Sequence, residues 1–136
     1  MNHDVAVDES CIAAFRDLRG KREVNAVVYL VTEGTDSDVL AVGEKGNLTY
    51  EELLRALPAD KPRLALYDLP FATPDGTRHH RIVSICWIPA ATDDGVKSAY
   101  RHAQTALAEA VDAEQMTVVA TTPSELEYHH LTSRAQ

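Results

Sequence analysis

Short apolar runs alternate with stripes of apolar residues at helical spacing, and this alternation sets the elements. Ile82, Val83, Ile85, Cys86, Trp87 and Ile88 form a nearly unbroken apolar run. Such a run suits a strand covered on both faces. Pro89 ends it, and Asp93 and Asp94 then place acids where a helix macrodipole favours negative charge. From Val96 the period becomes helical, through Ala99, Tyr100, Ala103, Leu107, Ala110 and Val111. The opposite side of this long helix carries Lys97, Arg101, Gln104 and Thr105, a polar and cationic face free to meet a partner.

Residues 1–7 have no period and are expected to be a flexible extension. Asp8 caps a helix to about Arg19 with Cys11, Ile12, Phe15 and Leu18 on its buried stripe, and Gly20 stops it. Residues 25–31 and 39–42 read as two strands of a hairpin, turning through residues 34–37. Thr49 and Glu52 have capping-box spacing ahead of Leu53, Leu54 and Leu57, so a short helix runs to near Pro58. Residues 63–69 form a third strand. Pro74, Asp75 and Gly76 mark the next tip, and residues 81–88 form the fourth strand. After the long helix come a short strand at 116–120 and a second capping box, Thr122 to Glu125, with Pro123 at the first helical position. The closing helix buries Leu126 and Leu131, with Tyr128 as a further candidate. The order α β β α β β α β α predicts one α/β domain, with a central mixed five-stranded sheet flanked by helices on both faces.

The chain has 136 residues, enough for one domain with a real core. Its formal charge of −8 argues against nucleic acid or anionic membrane as a general partner, since both need a basic footprint. Cys11 and Cys86 both sit at apolar positions and read as small buried hydrophobes, with a disulfide as the minor alternative. There is no signal-peptide pattern and no apolar run long enough to span a bilayer. The expectation is a soluble cytoplasmic protein.

Catalytic chemistry finds little support. His79 and His80, and His129 and His130, are adjacent pairs that could in principle gather imidazoles around a metal, the basis of a rival reading as a small histidine-based metal enzyme. Adjacent residues point to opposite faces of a strand and lie ~100° apart on a helix, so each pair offers one ligand at most, and solvated histidines are the simpler account. Ser84 has no glycine elbow, and Ser98 is a surface helix residue with Arg101 and His102 nearby. The acid pairs Glu51–Glu52 and Asp93–Asp94 stand where helix-start electrostatics accounts for them. No enzyme activity, metal or cofactor is expected.

Trp87-Ile-Pro89, an acidic turn, and Lys97-Ser-Ala-Tyr100 opening a long helix resemble the signature of the actin-depolymerising factor/cofilin family. Leu64-Ala-Leu-Tyr-Asp68 resembles that family's third strand, and Val5-Ala-Val7 before a short helix is also similar. The resemblance implies a protein that binds actin monomers and promotes filament disassembly. It implies a monomer-binding surface of Val5, Ala6, Val7, Lys97, Ser98 and Arg101, and a filament surface of Arg78, His79, Arg81, Glu125 and His129. The match is uneven. Gly95 stands where many relatives carry a second basic residue. His3 falls near a phosphorylated serine of relatives, so that switch looks absent. Tyr128 and His129 replace an acid–arginine pair, and residues 104–114 lack the lysines that relatives use for phosphoinositides. Filament binding and severing are therefore expected to be weaker than in typical relatives. The alternative within the same fold is a glia-maturation-factor-like regulator of branched filaments. A monomeric chain with no membrane or nucleic-acid partner is expected.

Overall fold

A computed structural model describes residues 5–20, 24–33, 38–111 and 115–135. The expected turn at 34–37 and His3 lie outside these residues. In chain order the elements are β1 (Val5–Val7), α1 (Glu9–Gly20), β2 (Ala26–Thr32), β3 (Asp38–Gly46), α2 (Tyr50–Arg55), β4 (Arg63–Ala72), β5 (Arg78–Trp87), α3 (Asp94–Val111) and β6 (Met116–Ala120). A 3₁₀ turn (Pro123–Leu126) and α4 (Tyr128–Ala135) close the chain.

The sheet has six strands in the order β1-β3-β2-β4-β5-β6. This corrects the expected five. Val5–Val7 is not an extension but a strand, paired in parallel with β3 through Val5↔Asp38, Ala6↔Val39 and Val7↔Leu40. Three residues are too few to display a period, and what orders them is tertiary: Val5 and Val7 pack against the core while Ala6 faces out. β2, β3, β4 and β5 pair antiparallel; β6 pairs in parallel with β5, reached through α3. Between Val28↔Glu44 and Tyr29↔Val42 the register shifts, leaving Gly43 as the extra residue of a β-bulge. A Cβ at Gly43 would stand 2.6 Å from Leu30 Cδ2, so a larger residue there makes the Leu30 side chain shift.

Two cores form, one on each face. On one, Cys11, Phe15 and Leu18 of α1 and Tyr100, Ala103 and Leu107 of α3 pack on Val27, Tyr29, Leu40, Leu64, Leu66 and Cys86. On the other, Leu53 of α2 and Leu131 and Ala135 of α4 cover Val28, Tyr67, Val83, Ile85 and Trp87. β5 feeds both, as a doubly covered strand must. Both thiols are free and buried; loss of hydration pushes Cys11 up to about 11 and Cys86 up to about 12. No helix among the described residues is long and apolar enough to cross a membrane.

Candidate functional site

The first candidate surface is built on the start of α3. Asp93 caps it: its Oδ2 accepts from the Gly95 N–H at 3.2 Å, and its carbonyl accepts from the Lys97 N–H at 2.9 Å. The helix is anchored to β2 by Tyr100, whose hydroxyl accepts from the Val31 N–H at 3.0 Å. With Tyr100 turned inward, Lys97 and Arg101, four apart, project together on the outer side. They line a groove of about 570 Å³ with Ser98, His102, Gln104 and Thr105, closed by Thr117 and Val119 of β6. Lys97 is 35 % exposed, with Nζ 3.9 Å from Oδ1 of the fully exposed Asp94. An exposed pair at that distance contributes little, so the ammonium stays available to an external acid.

The neighbouring side of the helix start sets one exposed apolar residue among the acids Glu33, Asp38 and Asp93. Val96 is 39 % exposed rather than buried, beside a depression of about 320 Å³ formed with Val31, Thr32, Asp38, Gly95, Ala99 and Tyr100. β1 packs against α3 from the sheet edge, so Val5–Val7 and the helix are adjacent. The structure thus brings Val5, Ala6 and Val7 to the helix that carries Lys97, Ser98 and Arg101.

Gln104 does not belong to the free face. It is 6 % exposed, and its Nε2 donates to the Ser84 carbonyl at 3.0 Å, to Ser84 Oγ at 3.1 Å and to the Val118 carbonyl at 3.2 Å. It fastens the middle of α3 to β5 and β6. The signal was present in the spacing: 100, 103, 104 and 107 is itself a buried helical stripe. A polar residue in that stripe is admissible because the strand carbonyls satisfy it.

The second candidate surface is the β4–β5 hairpin together with α4. The strand pairing runs to Ala72↔Arg78, so Arg78, His79 and Arg81 all lie within β5, which starts earlier than the apolar run indicates. The tip is fixed by Asp75, whose Oδ1 accepts from the Thr77 N–H at 3.0 Å and from the Thr73 hydroxyl. These bonds pull its carboxyl down to about 2. Gly76 sits there at φ 87°, a conformation that favours glycine. His79 stacks on its cross-strand partner Phe71 at 5.5 Å, and His80 Nδ1 lies 3.5 Å from Asp68 Oδ1.

Strand alternation puts His79 and Arg81 on the α4 face and Arg78 on the other. Arg81 Nη1 donates to the Ala135 carbonyl at 3.2 Å, and the Tyr128 hydroxyl donates to the Pro70 carbonyl, so α4 is held across the hairpin base. Glu125 lies in the 3₁₀ turn and His129 in α4. The Glu125 Oε1 accepts from the N–H and hydroxyl of both Thr121 and Thr122 at 3.0–3.2 Å, which holds its carboxyl below the ordinary range. Among the described residues, the group of three with metal-ligand chemistry is Glu127, His129 and His130. The simple angular argument for adjacent histidines missed it.

The three-layer α/β/α domain turns Lys97 and Arg101 of α3, and Arg78 of the β4–β5 hairpin, outward. The chain belongs to the cofilin family: the model described as cofilin/tropomyosin-type actin-binding protein matches residues 4–136. The chain is 34% identical over 131 residues to actin-depolymerizing factor 5 of Oryza sativa subsp. japonica, covering 96% of this chain and 91% of that protein. It is 30% identical over 131 residues to actin-depolymerizing factor 1 of Arabidopsis thaliana, covering 96% and 94%. The fold superposes on Streptomyces griseoflavus cofilin with a TM-score of 0.85 at 20% identity, over 97% of both chains. Proteins of this family bind actin and are not enzymes.

Proposed function

We propose that this protein binds actin monomers through β1 and the first half of α3, and that it promotes filament disassembly. Val5, Ala6 and Val7 supply the edge, Lys97 and Arg101 the charge, and Ser98 a short polar contact between them. The observation that carries this reading is the packing of β1 against the helix that presents Lys97 and Arg101. It makes one surface from two distant segments, with exposed Val96 as an apolar contact beside the cations. An interface centre of this kind, with an apolar anchor next to a charge, is where binding energy concentrates. The relatives named as actin-depolymerizing factors identify the class of partner. The chain acts as a monomer in the cytoplasm, with no nucleic acid, membrane or cofactor.

Filament binding uses Arg78, His79, Arg81, Glu125 and His129, and is weaker than in typical relatives. Two features support this. Histidines stand where a permanent charge would hold an acidic filament. The Glu125 carboxylate is already engaged by Thr121 and Thr122. The test is capture by the tag-free protein of monomeric actin against the actin-branching complex. Retention of actin monomer supports the proposal. Retention of the branching complex without actin moves the protein to the glia-maturation-factor-like reading.

A further inference from the structure

We propose that Glu127, His129 and His130 form a surface site for a borderline divalent transition ion, with Zn²⁺ as the reference case. Glu127 ends the 3₁₀ turn and opens α4, and its carbonyl accepts from the N–H groups of His130 at 3.0 Å and Leu131 at 3.3 Å. The first turn of α4 therefore fixes all three residues relative to one another. Their side chains converge. His129 Nε2 lies 3.4 Å and His130 Nε2 3.8 Å from Glu127 Oε2, and all the donor atoms lie within 4.8 Å of one another. The imidazoles approach to 4.3 Å between ring centroids at 33°. Two ligands each about 2.0–2.2 Å from a tetrahedral zinc ion stand about 3.3–3.6 Å apart. The two edges to Glu127 Oε2, 3.4 and 3.8 Å, are near that size, and the exposed side chains are free to rotate toward it.

The donor set selects the ion. Two imidazole nitrogens and one carboxylate oxygen suit zinc, copper or nickel, whereas calcium and magnesium prefer all-oxygen shells. The carboxylate also offsets the positive end of the α4 dipole, which by itself repels a cation. Protons compete with a metal for imidazole nitrogen, so binding at such a donor set weakens in acid. The side chains are 51–71 % exposed, so the site is open to water and exchanges its ion with solvent.

The test is calorimetric titration of the tag-free protein with zinc chloride at pH 7.5, followed by the histidine ring resonances in NMR. One ion per chain is expected, with the His129 and His130 signals moving and those of His79 and His80 staying. His129→Ala and His130→Ala each weaken binding at least about tenfold, Glu127→Gln weakens it, and His80→Ala leaves it unchanged. Titration at pH 5.5 shows weaker binding than at 7.5. No saturable heat in the wild type overturns the proposal, as does a zinc affinity that survives both histidine substitutions. All three side chains are exposed, so far-ultraviolet circular dichroism of the variants should match the wild type.

Discussion

Gln104 illustrates how one amide can hold a helix in place. Its donated bonds to the Ser84 and Val118 carbonyls cross from α3 to the two strands at the sheet edge. Gln104→Leu keeps the volume but removes the amide donor to those groups. We expect a loss of about 1–3 kcal/mol, the cost of an unsatisfied buried polar group, read as a lower urea midpoint at unchanged m-value. An unaltered midpoint would mean that the sheet carbonyls find water instead. Residue identity was the least legible scale in the sequence. Polarity alone put Gln104 on the outer face and Val96 on the inner one, and the structure exchanges them. In both cases position in the helical period decided the outcome. Glu127 was overlooked because its meeting with two histidines depends on rotamers, to which sequence spacing is blind.

At the scale of elements, the two capping motifs behave differently. Around α2 the box is complete: the Thr49 hydroxyl oxygen accepts from the Glu52 N–H at 3.1 Å, and Glu52 Oε1 accepts from the Thr49 N–H at 2.9 Å. Thr49→Ala should cost about 1 kcal/mol. In the second motif Glu125 gathers the donors of Thr121 and Thr122, while the Glu125 N–H turns to the Thr122 carbonyl and closes a 3₁₀ turn. The Thr-x-x-Glu spacing was legible. The shortness of the helix it opens was not, because the chain must bend at Glu127 before α4 can lie on the hairpin.

The backbone N–H groups of Thr49 and Thr121, each with help from hydroxyls, lower the carboxyls of Glu52 and Glu125, and Thr73 and Thr77 lower Asp75. A depressed folded-state value stabilises the protein above the unfolded value of 4.5 for glutamate, and that contribution is lost as pH falls through the folded value. Stability should therefore fall between pH 5 and 2, and less steeply in Glu125→Gln. Parallel stability–pH curves for the two proteins would remove Glu125 from this account.

On the scale of the whole molecule, both thiols are interior and their raised values leave almost no thiolate at neutral pH. A disulfide-exchange reagent should leave both unmodified in the native protein at pH 8 and label both after denaturation. Rapid labelling in native buffer would contradict the packing of α1 on the sheet. The layered plan and nearly every strand were legible because long apolar periods report burial directly; the exception, β1, is ordered by its neighbours.

The proposed function divides between two surfaces. His79, His80, His129 and His130 stand beside Arg78 and Arg81, with Asp68 and Glu127 facing them. His129→Arg puts a permanent charge on this surface and should strengthen filament co-sedimentation. No gain from arginine would show that this position does not contribute to attachment.

The proposed monomer surface rests on Lys97, whose 3.9 Å pair with the fully exposed Asp94 contributes little to folding. The direct measurement is the dissociation constant for actin monomer, wild type against Lys97→Ala, with thermal unfolding of both as the control. The account predicts saturable wild-type binding, a loss of about 1–3 kcal/mol in the variant, and matching unfolding curves. Equal affinity of the two proteins for actin monomer would remove α3 from the interface and contradict the account.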